Sequence, residues 1–180
     1  MRKWKHLNSR MAFNHPRFRL RQDTVRLPNG KIIDDYFIWL GHDVVMTVPV
    51  TRDNKFVLTK QYRYGLDDFI IEFPAGIIED VEQAEAAGLR ELQEETGYTS
   101  KEIVPLTIIA NNPNRSKAKV HVFLVTNVEK THDTRFDETE SIETLLCSGD
   151  ELLTMIERGD IWISASVAAG LLSLRKLKKL

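Results

Sequence analysis

The segment Gly76–Tyr98, GIIEDVEQAEAAGLRELQEETGY, joins a helix-forming run to a marked excess of acid. Ala, Leu, Glu, Gln and Arg are strong helix formers, so its spacing predicts a helix from about Glu82 to Thr96, with Asp80 as cap and Gly97 just past the end. Seven acids, Glu79, Asp80, Glu82, Glu85, Glu91, Glu94 and Glu95, face one cation, Arg90. On a helical wheel Glu95 lies roughly 40° from Glu91 and Glu94 roughly 60° from it, so three carboxylates share one side within a turn. They also sit at the C-terminal end, where the helix dipole disfavours each carboxylate by about 0.3–1 kcal/mol. A positive charge is expected there, whereas a solvated acidic helix is the plainer alternative. Three carboxylates with no nitrogen or sulfur donor nearby suit a hard ion such as Mg²⁺ or Mn²⁺ and suit zinc poorly. Gly88 in mid-helix costs about 1 kcal/mol relative to Ala and so suggests a close backbone approach, for which Pro74-Ala75-Gly76 is the expected partner.

Outward from this segment the chain alternates β-rich runs with turn signals. Phe18–Leu27 and Ile32–Leu40 read as strands joined by Pro28-Asn29-Gly30, a hairpin of their own. Val44–Thr51, Phe56–Arg63 and Phe69–Phe73 form a meander, and strands are expected near Ile103–Ala110, Lys119–Val128 and Ile142–Cys147, with a polar loop over Glu129–Ser141. Ser148-Gly149-Asp150-Glu151 is a capping box opening a helix to about Arg158, and a last helix starts at Ser164. Strands surrounding three helices predict an α/β or α+β sandwich.

The 180 residues are 42% hydrophobic and 28% charged, a balance that supports a core and excludes disorder for most of the chain. With 25 basic and 26 acidic residues the net charge is −1, which gives no reason to expect nucleic acid or an anionic membrane as partner. No apolar run approaches the length of a membrane span, and the single Cys147 excludes an internal disulfide, so a cytoplasmic setting is expected. The first twenty-one residues are basic without an acid but lack the apolar stretch of a cleavable signal. They read as a solvated arm or a phosphate-attracting edge.

Gly76, five residues, Glu82, seven residues, then Arg90-Glu91-Leu92-Gln93-Glu94-Glu95-Thr96-Gly97-Tyr98 resembles the Nudix hydrolase signature over 23 positions, with Tyr98 where an aliphatic residue is usual. The resemblance implies a Nudix-type α/β/α sandwich with a mixed central sheet and an N-terminal antiparallel hairpin extension. It implies domains at 1–42, a dimer-forming β extension, and 43–180, the hydrolase. Glu91 and Glu95 would be the principal Mg²⁺ ligands, Glu94 a further one, and the Ala75 carbonyl would complete the set. Arg90 would hold the glutamates in place, Gly76 would permit a tight loop, and Glu82 would be structural.

Gln61-Tyr62-Arg63, Ile71-Glu72-Phe73-Pro74-Ala75-Gly76 and Pro113, sixteen places after Gly97, resemble the branch acting on ADP-ribose and other nucleoside diphosphate sugars. That implies hydrolysis of the diphosphate bond to a nucleoside monophosphate and a sugar phosphate. GDP-mannose, UDP-sugars or a broad range are the competing substrates, because Asn111-Asn112-Pro113-Asn114-Arg115-Ser116 departs from the branch's glycine-rich loop. A non-catalytic nucleotide-sugar sensor is the alternative of another class, disfavoured by the complete signature. Arg63 and Arg115 offer forks for a phosphate, and Glu72 an acceptor for base or ribose; each is also readable as an ordinary surface group. Tyr36, Phe37 and Trp39 are candidates for stacking on a nucleobase, with Phe37 and Trp39 on one face of their strand and Tyr36 on the other, and core packing is the plainer reading for one face. In this branch the general base comes from a loop after the sheet, which makes Glu140, then Glu138, the candidates. Homodimerisation through the N-terminal hairpin is the expected assembly.

Overall fold

Backbone pairing and the burial of alternate residues give this chain two compact units. The computed structural model describes residues 1–136 and 141–178. Unit 1 comprises Met1–His42 with Ala110–Lys119, and unit 2 comprises Asp43–Ile109 with Val120 onward.

Unit 1 is a three-stranded antiparallel sheet of β1 (Lys5–His15), β2 (Phe18–Arg26) and β3 (Ile32–Trp39), with β2 in the middle. The hairpin expected from residues 18–40 is present, and Gly30 takes the left-handed conformation, φ +89°, at its turn. The basic N-terminal segment, read as a solvated arm or a phosphate-attracting edge, is instead a third strand. Its partner is β2, and Arg and Lys side chains on its exposed surface mask the period-two placement of Met11 and Phe13. Loop 110–119 closes on β3: Arg115 O accepts from Trp39 N at 2.7 Å and Asn114 O from the Tyr36 hydroxyl at 2.6 Å. Phe13, Phe18 and Trp39 form a ladder of ring contacts and remain about half exposed.

Unit 2 is built on a mixed sheet of eight strands. These are β4 (Val44–Thr51), β5 (Phe56–Arg63), β6 (Asp68–Glu72), β7 (Ala75–Ile77), β8 (Tyr98–Thr99), β9 (Glu102–Ile109), β10 (Val120–Lys130) and β11 (Ile142–Cys147). The path runs β11-β5-β4-β10-β8, with β6 on β5, β7 on β4 and β9 on β10. Among the described residues of this sheet only the β4–β10 pair is parallel. The central strands are apolar on both faces, as strands covered on both sides must be. Val45, Phe123, Val57 and Val125 face α1 (Ala84–Thr96), whose Ala87 and Leu92 pack against them. Their neighbours Met46, Val48, Phe56, Leu58, Val122 and Leu124 face the other way, onto Leu152 of α2 (Gly149–Arg158) and Ala165, Ala169 and Leu174 of α3 (Ser164–Lys176). Unit 2 is therefore the expected α/β/α sandwich, with one helix on one face and two on the other.

Several local expectations are revised. The capping box of α2 forms as read, Ser148 and Glu151 bonding each other's backbone N–H. For α1, however, the cap is Gln83, not Asp80, and the helix starts at Ala84. Val81 takes φ +66°, and Glu82 N donates to Glu79 O in a turn that delays the helix. Strand β10 runs on to Lys130, two residues into the expected loop, because Glu129 and Lys130 pair with Thr99 and Tyr98. Gly88 is approached by β4: a Cβ there would stand 3.0 Å from Val45 Cγ2 and 3.1 Å from Thr47 Cγ2, so the expected contact with Pro74-Ala75-Gly76 is not the one made. Among the described residues no helix is long and apolar enough to cross a membrane.

Gly97 ends α1 at φ +75°, and Gly159 ends α2 at φ +80°. A Cβ at Gly159 meets nothing, whereas one at Gly97 overlaps the carbonyl oxygen of His132. Gly159→Ala should cost about 1 kcal/mol for the left-handed backbone alone. Gly97→Ala should cost clearly more in urea unfolding; equal midpoints for the two variants would show that the His132 segment yields freely.

Candidate active site

The carboxylates of α1 are gathered by one arginine. Arg90 sits near the middle of α1, six residues before its last residue Thr96, and its fork bonds groups both before and after it in the chain. Its Nε and Nη2 each donate at 3.0 Å to the two oxygens of Glu82, a bidentate pair. Its Nη1 donates to Glu91 Oε1 at 2.7 Å and to Glu94 Oε2 at 3.1 Å, and Nη2 also reaches the carbonyl of Ile77 at 3.2 Å. The hydrogen bond to Glu82 is the largest influence on this guanidinium, followed among favourable ones by Glu91; together they raise its pKa well above the usual arginine value. The Glu82 carboxyl is correspondingly held below the usual carboxylate range, chiefly by Arg90 and then by the Glu79 N–H.

Glu95 is 5% exposed, and its Oε2 accepts from Ala75 N at 3.2 Å. That bond joins the helix to β7, whose three residues pair with Val44, Val45 and Met46 of β4. At the neighbouring Gly76 the Glu91 carboxylate lies where a Cβ would be, so only glycine lets helix and bend approach this closely. The carbonyl ends of α1 are met by the segment after β10: Thr131 N and His132 N donate to Gly97 O at 3.0 and 3.2 Å, and Arg135 N to Glu94 O at 2.8 Å. These N–H groups occupy carbonyls that a helix terminus otherwise leaves unpaired.

Among the described residues no three His, Cys, Asp or Glu side chains already form a cage for a metal ion. Arg90 takes oxygens of both Glu91 and Glu94, so its own charge offsets part of their repulsion. The donors nonetheless suit a hard divalent cation. They are carboxylate oxygens with the Ala75 backbone beside them, packed where Gly76 leaves no room for a side chain.

The other residues singled out from the sequence are distributed as follows. Arg63 and Glu72 bond each other: Glu72 Oε1 accepts from Arg63 Nε at 3.0 Å and Nη2 at 2.5 Å, and from Gln61 Nε2 at 3.1 Å. Glu72 is buried, while the Arg63 side chain is 43% exposed. Within unit 1 the Arg115 guanidinium lies 4.6 Å from the Tyr36 ring centroid and Trp4 meets Tyr36 edge-on, while Trp39 stacks on Phe18. Glu138 and Glu140 lie outside the described residues. Sequence reasoning gave Glu82 a structural role without finding its partner; the signal was its eight-residue offset from Arg90, which only the turn over Glu79–Glu82 makes reachable. It missed the His121–Asp43 pair, separated by 78 positions, altogether.

The NUDIX domain profile matches residues 41–167, and that of the nucleoside diphosphate sugar hydrolase N-terminal domain matches residues 4–39. An ADP-ribose pyrophosphatase of Bacillus subtilis (strain 168) is 33% identical over 141 residues, 78% of this chain and 76% of that protein. A methanol dehydrogenase activator of Bacillus methanolicus is 30% identical over 166 residues, 92% of this chain and 89% of that protein. A crystal structure titled as an ADP compounds hydrolase superposes with a TM-score of 0.89 at 22% identity, covering 99% of this chain and 96% of that one, a likeness of fold. With its signature helix, its α/β/α sandwich and a profile match over most of its length, this chain belongs to the family of NUDIX-domain hydrolases.

Proposed function

We propose that this protein hydrolyses the diphosphate bond of a nucleoside diphosphate sugar, ADP-ribose first, to a nucleoside monophosphate and a sugar phosphate, with Mg²⁺ as its metal. The observation that carries the reading is the carboxylate end of α1, Glu91, Glu94 and Glu95 packed against the Ala75-Gly76 bend. Hydrolases of this family depend on divalent metal in general. The substrate choice is supported by the ADP-ribose pyrophosphatase among the relatives and by the N-terminal profile match.

In this reading Glu91, Glu94 and Glu95, with the Ala75 carbonyl, hold the ion. Bound there, Mg²⁺ supplies charge to the diphosphate oxygens and makes water a better nucleophile at neutral pH. The chain's own groups do the rest. Arg90 sets the direction of Glu91 and Glu94 before the ion arrives. The half-exposed Arg63 presents its planar fork to a phosphate while Glu72 and Gln61 fix its orientation. A glutamate of the segment after β10, Glu140 before Glu138, takes the proton from water. The main chain up to Arg135 is bonded to the C-terminus of α1, which supports that assignment. Tyr36 and Trp39 stack on the nucleobase and Arg115 reaches a phosphate, each from a position already tied down by contacts within unit 1.

Residues 1–42 are read as a dimer-forming extension and 43–180 as the hydrolase domain. Support comes from the exposed ring ladder of Phe13, Phe18 and Trp39, together with Trp4 and Met11: apolar surface of this kind on a three-stranded sheet calls for cover. A second copy of the chain provides it. The buried free thiol of Cys147, pushed up to about 11 by burial first and Glu151 second, is consistent with a cytoplasmic setting.

Turnover of ADP-ribose should exceed that of nucleoside triphosphates and dinucleotide polyphosphates, vanish with EDTA and return with Mg²⁺. GDP-mannose or UDP-glucose outrunning ADP-ribose would move the preference within the class, and triphosphate turnover alone would end the substrate proposal. Glu140→Gln should lower kcat by about 10²- to 10⁴-fold with little change in substrate affinity; near-normal turnover would shift the role to Glu138 or beyond. In sedimentation, wild type should run as two chains and Phe13→Asp/Phe18→Asp as one. A wild-type monomer at micromolar concentration removes the dimer.

A further inference from the structure

His121 has no part in the site as described, yet its contacts lead to it. It lies on β10 opposite Val45 of β4, on the sheet face where its successors Phe123 and Val125 are buried against α1. A polar ring at the start of that apolar row has a partner: His121 Nε2 stands 3.0 Å from Asp43 Oδ2. A carboxylate oxygen of an ionised aspartate only accepts, so this nitrogen carries the hydrogen.

Asp43 directly precedes β4. Its carbonyl accepts from Ile78 N at 3.0 Å, one rung beyond the Val44–Ile77 pair that ends the β4–β7 ladder. The next carbonyl back, Ile77 O, accepts from Arg90 Nη2 at 3.2 Å. Because β7 is only three residues long, a single added rung is a large share of what holds the bend. Past it the chain leaves the sheet and reaches Val81 at φ +66°, a conformation that a β-branched residue adopts only under constraint. The series His121, Asp43, Ile78 and Ile77, Arg90 therefore runs from the second central strand to the guanidinium that aims Glu91 and Glu94.

We propose that His121 is a positioning residue for the α1 carboxylates, acting through Asp43 and the backbone of residues 77–78 on Arg90. The proposal rests on the reading of those carboxylates as the metal-holding, reacting end. His121 touches neither substrate nor metal. With side chains 24% and 41% exposed, the pair is too open for its loss to unfold the protein, and its effect falls on geometry.

The test uses the full chain as wild type, His121→Ala, His121→Gln, Arg90→Lys and the double variant Arg90→Lys/His121→Ala. For each, thermal unfolding, Mn²⁺ affinity by calorimetry, and kcat and KM on whichever nucleotide sugar wild type turns over are measured. His121→Ala should lower kcat about tenfold and weaken Mn²⁺ binding while KM moves less than about twofold and the unfolding midpoint stays near wild type. His121→Gln keeps a donor and should recover most of the loss. If the two side chains act in series, the double variant should be little worse than Arg90→Lys alone. Wild-type kcat and Mn²⁺ affinity in His121→Ala, a Gln variant as impaired as the Ala variant, or losses that multiply in the double variant would each overturn the proposal. Failure of the site reading is distinguishable from these. A wild type that binds Mn²⁺ but turns over no nucleotide sugar refutes the substrate while the affinity series still tests His121; one that does neither refutes both.

Discussion

The structure of the site depends on a guanidinium at the crowded end of a helix. Glu82, Glu91 and Glu94 all bond Arg90, and without it like charges would face each other at the negative pole of α1, where nothing in the helix itself favours them. Arginine suits this place because its rigid fork reaches a bidentate partner and two further oxygens at once, which a lysine's single ammonium does not. The same fork touches the Ile77 carbonyl, so the helix end and the bend after β7 are set by one group. Glu95 is held separately, by the Ala75 amide, on the buried side of the cluster.

That arrangement needs the helix to lie close on the sheet, and the small residues of α1 allow it. Gly88 rests on Val45 and Thr47, Ala87 is fully buried, and Leu92 reaches the layer of Val57, Val125 and Val128. On the other face α2 and α3 cover Met46, Val48, Leu58 and Leu124, which buries β4 and β10 from behind. The position of the carboxylates thus follows from the thickness of the apolar layer under α1. A Cβ at Gly88 would press on Val45 Cγ2 and Thr47 Cγ2 and need a few tenths of an ångström of give, and one at Gly76 would displace Glu91 directly.

Much of this was legible in the chain. β-rich runs bounded by turn residues marked β4, β5, β6, β9, β10 and β11, the central β4 and β10 reading as near-continuous apolar stretches because both their faces are covered, and the capping box marked α2 because its reciprocal bonds are local. The Gly76–Tyr98 spacing carried the family and the three carboxylates. Elements whose signal is not local were lost. Strand β1 has no buried residue and reads as a charged arm; its strand character comes from β2. The start of α1 slid from Glu82 to Ala84 because a left-handed Val81, which no propensity predicts, precedes it. The partner of Gly88 was misassigned because closeness in sequence to Pro74-Ala75-Gly76 says nothing about which strand a helix covers.

By itself the sequence determined six of the eight strands of unit 2 and its three helices, and the acidic helix end with its single arginine and oxygen donors, since residue pattern, capping and donor chemistry are properties of neighbouring residues; the short β7 and β8 exist only through their pairing with β4 and β10. Only the tertiary structure decided which oxygens Arg90 takes, that Glu72 and Arg63 bond each other, and that His121 meets Asp43 across 78 positions. Those contacts depend on strand order and register. Both arise from burying the two faces of one sheet at once, a condition on the whole chain that no short segment contains.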